Sequence, residues 1–405
     1  ANEKGEMRVF KGAPQVIANL FAFKETDKAN LKQIVEEFSQ KGARSIAVAL
    51  EKEGQARILG VIGLYDPPRK EAFLTVEKLK KLNVKPIMIT GDNILIAQQI
   101  AKLVGIGSRV RSLAELKELP DREFSSLLEQ LDGIAEVFPE DKYQIVKHLQ
   151  EKGHIVGMTG DGVNDAPALK QAELGIAVEN ATDAARASAS VVLTKPGIEV
   201  ILDCLILSRK TFQRTLTWIL NKIIKVVEFS ALLTLGFIWL KTSVLPLLYM
   251  ALLILANDFA TMSLATDRVE FSSSPNIWNV KNIALAALIP GLLFFSEDAL
   301  ILIWGKSIFP LPQLQSLVLL ALVFNSQMRI MLVRERRHFW SSLPGRALTL
   351  ASIFTLVAFS ALAVWGIVLH PIPLQVVFGL FLFLLACALI IDFPKFYLFG
   401  KLLRV

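Results

Sequence analysis

The segment Thr159-Gly-Asp-Gly-Val-Asn-Asp-Ala-Pro167 places an acid between two glycines just ahead of a helix start. A carboxylate such as Asp161 is a hard oxygen ligand suited to Mg²⁺. The flanking glycines, Gly160 and Gly162, let backbone N–H groups approach an anion. Asn164 and Asp165 follow closely enough to support that ligand. A second loop, Thr90-Gly91-Asp92-Asn93, offers a hydroxyl and a carboxylate, and Lys142 between the two loops offers a point charge. Phosphoryl transfer asks for such groups, because its charge spreads over oxygens and catalysis is mainly positioning and neutralisation. One Thr-Gly-Asp is an ordinary turn. Two of them, each after a strand and with a lysine between, point to a phosphoryl-transfer site. The nucleophile is absent: no acceptor segment of the Asp-Lys-Thr-Gly-Thr kind occurs in the 405 residues. Taken alone, the chain is expected not to complete the reaction.

Strands and helices in alternation must hold these loops. Residues 84–89, 154–158, 174–178 and 190–194 read as strands, and Ile94–Leu103 as a helix. Phe138-Pro139-Glu140 opens another helix, with proline suited to a first helical position, and this helix carries Lys142. The pattern predicts an open, doubly wound α/β sheet, whose ligands sit beyond the carboxyl ends of the strands. Thr90 and Asp161 are therefore expected in one crevice. Ahead of this lie strand signals at 8–10, 45–50 and 57–62 and a helical pattern at 29–38. Asp66-Pro67-Pro68-Arg69 reads as a stiff joint between the two regions, because two prolines fix φ twice.

The rest of the chain is of a different kind. Composition is 53% hydrophobic with mean hydropathy +0.48, and the excess lies after about residue 205. Apolar runs occur near 217–240, 244–265, 283–304, 314–333, 346–369 and 373–391. Each is long enough to cross roughly 30 Å of hydrocarbon. Arg268, Lys281, Arg334, Arg336, Arg337, Arg346, Lys395, Lys401 and Arg404 fall in the loops on one side, against only Lys241 and Lys306 on the other. The positive-inside bias puts the richer loops and the soluble half in the cytoplasm. Lipid head groups account for this basic excess within the net charge of +7, and nothing suggests nucleic acid. Cys204 and Cys387 are far apart and read as apolar fillers. Trp218, Trp239, Trp304 and Trp340 fall near crossing ends, as an interfacial belt does.

Ionisable residues inside a crossing default to function. Asp258, beside Asn257, sits deep in the second run, where low dielectric would let a carboxyl exchange a proton near neutral pH. Asn221, Lys225 and Glu228 share one helical face of the first run and could face Asp258. Lys225 and Glu228 could equally neutralise each other. Lys222 could belong to a stalk outside the bilayer. Glu297 and Asp298 are placed either on a pathway or near the outer surface, and the sequence does not choose. Thr261 is the only other close polar neighbour of Asp258 on its helix, which argues against a calcium cage.

Together these residues resemble the C-terminal half of P-type ATPases, nearly end to end. Lys11-Gly12-Ala-Pro14 looks like the family's nucleotide motif, with Gln15 where glutamate is usual. Met88-Ile-Thr-Gly-Asp92 and Thr159 to Pro167 match the family's phosphorylation domain. Val137-Phe-Pro-Glu-Asp-Lys-Tyr143 and Ala181-Thr-Asp-Ala-Ala-Arg186 are similar to plasma-membrane proton pumps. The resemblance implies Lys11, Gly12 and Arg44 at ATP, and Thr90, Gly91, Asp92 and Lys142 at the phosphate. It implies Asp161 at Mg²⁺, supported by Asn164 and Asp165. The implied fold is a HAD-like α/β phosphorylation domain (65–204) after part of an α+β nucleotide-binding domain (1–64). An α-helical six-crossing bundle (205–395) and a short cytoplasmic tail (396–405) follow. The start at Ala1, running almost at once into a strand, is read as the beginning of a fragment whose N-terminal half is missing. The implied activity is ATP-driven cation export, of protons first, in the plasma membrane, with Asp258 of the Asn257-Asp258 sequence pair carrying the ion. Na⁺, K⁺, Mg²⁺ or Ca²⁺ transport, or a truncated non-pumping membrane partner, are the alternatives. One departure stands out: plant and fungal proton pumps carry an arginine where an ungapped count puts Glu228, and Lys225 is the candidate substitute.

Overall fold

Alternating apolar residues draw Met7–Gly12 (β1), Arg44–Lys52 (β2) and Gln55–Leu64 (β3) into an antiparallel sheet of order β1-β2-β3. Pro14–Leu20 (α1) and Glu25–Gln40 (α2) cover it, burying Ile17, Phe23 and Leu31 against Ala47 and Ala49. The structure is a computed structural model that describes residues 7–52, 54–275 and 277–403. Arg404, counted above among the basic loop residues, and residues 1–6 lie outside that set.

After the Asp66–Arg69 joint come Ala72–Lys81 (α3), Met88–Ile89 (β4), Ile94–Leu103 (α4), Val110–Ser112 (β5), Leu113–Lys117 (α5), Asp121–Leu128 (α6) and Gly133–Ala135 (β6). Pro139–Glu151 (α7), Gly157–Gly160 (β7), Ala166–Gln171 (α8), Leu174–Ala177 (β8), Asp183–Ser188 (α9) and Val191–Val192 (β9) complete this region. The strands form two parallel three-stranded sheets, β4-β6-β5 and β7-β8-β9. Each of the four expected strands is shorter or shifted, and β5 and β6 had no expected counterpart. Pro86 can donate no ladder bond, and β4 begins only at Met88. The expected strand at 154–158 moves to Gly157–Gly160, because the Val156 N–H goes to Glu173 Oε2 at 2.8 Å. The expected 190–194 strand narrows to its two valines.

The apolar half is helical throughout: Glu199–Leu240 (α10), Leu247–Ser263 (α11), Val280–Ile308 (α12), Leu311–Arg334 (α13), Arg346–Trp365 (α14) and Leu374–Leu402 (α15). All six are long and apolar enough to cross a membrane. At 1.5 Å per residue the 42-residue α10 is about 63 Å long, twice a hydrocarbon core. Residues 396–402, expected as a tail, instead continue α15 beyond Pro394. Helix α13 is buried almost all round, which keeps its Asn325, Ser326, Gln327 and Arg329 away from lipid. Its Leu317, Leu319, Leu320 and Val323 are fully enclosed. The α10–α12 contact depends on Gly291, where a Cβ would fall 2.9 Å from Val227 Cβ. Two compact units result, Ala1–Cys204 and Leu205–Val405.

Candidate functional site

Thr90 follows β4 and Asp161 follows β7, each at the carboxyl end of a parallel strand. Asp165, 6% exposed, organises the second loop. Its Oδ2 accepts the N–H groups of Asp161 and Gly162, both at 3.2 Å, and its Oδ1 accepts Lys142 Nζ at 2.7 Å. This corrects an expectation. The N–H groups at Asp161 and Gly162 are taken by Asp165, and Lys142 is occupied by the same carboxylate. Gly160 is needed for room: a Cβ there would lie 2.5 Å from Asp165 Cβ. With its neighbour holding the backbone, the exposed Asp161 carboxylate has no recorded partner among the described residues. A free carboxylate on a pinned loop fits a Mg²⁺ ligand. Asn164 is exposed beside it.

In the first loop, Thr90 Oγ1 donates to Asp92 Oδ2 at 3.0 Å and accepts the Asp92 N–H at 3.1 Å. Asp92 Oδ1 accepts Arg44 Nε at 2.8 Å. Arg44 was expected at a nucleotide. Its guanidinium pairs with this loop, four residues along β2 from Val48, the partner of Lys11, or about 13 Å. Lys11 is exposed on β1, with Gly12 next to it. No hydrogen bond or ion pair joins the Thr90 and Asp161 loops directly among the described residues. Their link runs through the start of α7: Val137 N–H bonds Thr90 O at 3.1 Å, and Lys142 reaches Asp165. Glu136, just before, adopts φ +58° and accepts from Asn93 Nδ2 and Ser112 Oγ, bracing the same junction. A pocket lined by Gln98, Arg109, Arg111, Glu115 and Gln130 contains none of these groups, and the loop chemistry, not that hollow, marks the site.

Burial opposes ionisation of Asp165. The Lys142 hydrogen bond and the two backbone donors outweigh it and hold the carboxyl below the ordinary range. A lowered folded-state value means that the contribution is fully present above the unfolded value near pH 4. It is lost as pH falls through the folded value. Amide exchange at Asp161 and Gly162, corrected for intrinsic pH dependence, is therefore expected to accelerate only below about pH 4. In Asp165→Asn that acid step should vanish.

In the second unit, Asn257 faces inward at 1% exposure, with neither amide atom partnered. Asp258 was expected deep in low dielectric. Its side chain is 54% exposed on the outer face of α11, and Lys222 Nζ is 4.0 Å away. Adjacent helical residues point about 100° apart, which lets Asn257 face inward while Asp258 faces out. Lys222 is thus a neighbour of Asp258. Asn221 and Glu228, both fully buried, face α13 and not Asp258. Arg329 Nε donates to Asn221 Oδ1 at 2.8 Å, and its Nη1 pairs with Glu228 Oε2. Lys225 lines a small hollow with Glu228, Asn257, Ser326 and Arg329. Glu297 and Asp298, left open between pathway and surface, are buried on α12.

Residues 3–173 match the haloacid dehalogenase-like hydrolase family. A putative cation-transporting ATPase of Methanocaldococcus jannaschii is 37% identical over 98% of this chain and 50% of its own length. The plasma membrane ATPase of Dunaliella bioculata is 39% identical over 70% of this chain and 26% of its own length. The chain belongs to the P-type ATPase family. It spans about half the length of the first relative and about a quarter of the second. With a HAD-like region and six apolar helices, this P-type ATPase chain is an integral membrane protein.

Arg329 is the functional candidate that sequence reasoning missed. An arginine inside a 24-residue apolar helix was a signal in itself. The basic cluster after it was misjudged in part. Arg334 is buried, donating from Nε to Asp267 Oδ2 at 2.9 Å and from its Nη atoms to Arg268 O, Ser342 O and Leu343 O. Arg336, 7% exposed, donates to Gln213 O and Thr217 Oγ1. These two hold loops within the protein, and Arg337 is the exposed one, paired with Glu270.

Proposed function

We propose that the chain forms the phosphate-handling and transport parts of an ATP-driven plasma-membrane pump that cycles through an aspartyl phosphate and exports protons. The observation that carries this reading is the pinned loop at Asp161, joined through Lys142 to the Thr90 loop at the carboxyl ends of parallel strands. Mg²⁺ held by Asp161 would neutralise charge on the phosphoryl oxygens. Thr90, the Gly91 backbone and Lys142 orient the phosphoryl group, Lys142 exchanging part of its contact with Asp165 for phosphate. Asn164 and Asp92 keep the two loop mouths polar, and Arg44 braces the first. Lys11 and Gly12 serve ATP. The acceptor aspartate comes from sequence outside these residues. The open edges of the two short parallel sheets support a further strand there.

In the bundle, Asp258 takes the transported proton, beside the inward Asn257. Its half-exposed face suits packing by helices supplied with the acceptor segment. Glu228 stands where related proton pumps have a cation, and Arg329 from α13 meets it. That pairing puts a guanidinium at this level without Lys225, its charge balanced by Glu228. The test is the complete pump in sealed vesicles, with ATP and Mg²⁺ and without Na⁺ or K⁺, followed by a pH-sensitive dye. Protonophore-sensitive acidification is expected, abolished in Asp258→Asn. ATP hydrolysis that moves no protons until one metal cation is added would transfer the assignment to that cation.

A further inference from the structure

Four carboxyl groups and three basic groups meet in the α10–α13 region. Asp258 is opposite Lys222 at the surface. Farther in, Glu228, Glu297 and Asp298 are 1%, 4% and 2% exposed. Arg329 and the half-buried Lys225 line the same small hollow as Glu228. With every group ionised, one negative charge would be left inside a bilayer, which is expensive without a partner.

The hydrogen bonding shows where the imbalance falls. Arg329 occupies Glu228 Oε2, and Asn325 Nδ2 donates to Asp298 Oδ1 at 2.8 Å. The Glu228 and Asp298 carboxyls lie close enough for one shared proton to bridge them. Yet Glu228 Oε1, Asp298 Oδ2, Asn325 Oδ1 and both Glu297 oxygens are buried with no donor. The Asn325 amide and the Cys387 thiol of α15 lie beside Glu297, without a hydrogen bond of ordinary geometry. Two carboxylates in contact cannot both be ionised at small cost, and a proton between them converts repulsion into a bond.

We propose that Glu228, Asp298 and Glu297 form a second, enclosed proton-binding site, distinct from Asp258. The proton sits on Asp298 Oδ2 and is donated to Glu228 Oε1. Arg329 keeps Glu228 ionised as the acceptor, and Asn325 fixes the Asp298 carboxyl in the donating orientation. Glu297, adjacent in sequence, shares the proton as an alternative acceptor, so the three titrate as a coupled set. One bound proton brings the seven groups to electrical balance. The inference concerns equilibrium protonation and holds whether or not Asp258 carries the transported ion.

Infrared spectroscopy of the 405-residue chain in lipid nanodiscs tests it, through the carboxylic-acid C=O band that ionised carboxylates lack. The spectrum is recorded at neutral pH for the parent and for Asp258→Asn, which removes any contribution of that residue. A protonated-carboxyl band is expected in both. It should lose most of its intensity in Asp298→Asn and shift in Glu297→Gln, with helical circular dichroism checking the fold. Absence of the band from the Asp258→Asn chain overturns the proposal even if the other variants fail to fold. So does a band indifferent to both cluster substitutions. Loss of the band with proton release on adding Na⁺ or K⁺ would make the site a metal-cation site and overturn the proton assignment. Failure of vesicle acidification bears on Asp258 and leaves this result untouched.

Discussion

Arg329→Ala is expected to destabilise the helical bundle by about 3–5 kcal/mol, the cost of leaving a buried charge without its partner. The guanidinium is 2% exposed and is shared between Asn221 and Glu228. Its removal strands a carboxylate that is 1% exposed and empties the volume beside Phe294, whose ring centroid lies 5.9 Å from the guanidinium carbon. Glu228 would respond by taking up a proton, which softens the loss without removing it. Arg329→Ala combined with Glu228→Gln should therefore recover a substantial part of the stability. That non-additivity is the mark of direct coupling. Denaturant unfolding in mixed micelles, read by helical circular dichroism, gives all corners of the cycle. A single-variant loss below about 1 kcal/mol, the range of exposed pairs, would mean that the two groups do not form a buried ion pair.

The second large effect is expected at Gly160. A methyl group there would come within 2.5 Å of Asp165 Cβ, 2.8 Å of Cγ and 2.9 Å of Oδ2. Asp165 cannot simply rotate aside, because its carboxylate holds two backbone N–H groups and Lys142. Gly160→Ala should cost roughly 1–3 kcal/mol from overpacking. On the function proposed above, it should also slow ATP turnover of the complete protein by about 10²-fold, since a displacement near 1 Å at a positioned group has that effect. Gly162→Ala is the control. Its added Cβ would meet nothing closer than 3.8 Å, and its φ of −102° suits alanine. Thermal melting should separate the two variants, and equal losses would contradict the steric account.

Much of the fold could be read from local pattern. The helix at Ile94–Leu103 falls where its spacing put it, and each of the six apolar runs centres on its own helix. Strand lengths were less legible, because a strand ends where its partners end and those partners are distant in sequence. The Val156 N–H goes to the Glu173 carboxylate while its carbonyl still accepts from Leu174, a choice that no window around Val156 reveals.

The chemical inventory is already written in the residues. Two acidic loops follow strands, a lysine starts the helix between them, and ionisable residues interrupt apolar helices. These are properties of residue type and short spacing. Only the tertiary structure decided the partners. Asp165, not a phosphate, takes the N–H groups at Asp161 and Gly162. Asp258 turns outward while Asn257 turns in, since one residue of helix rotates a side chain by about 100°. Glu228 meets an arginine 101 residues away. Helical periodicity places Glu228, Asp298 and Arg329 on faces of their own helices. Which faces meet depends on how α10, α12 and α13 pack, through contacts such as Gly291 against Val227, and that packing sets which charges are paired.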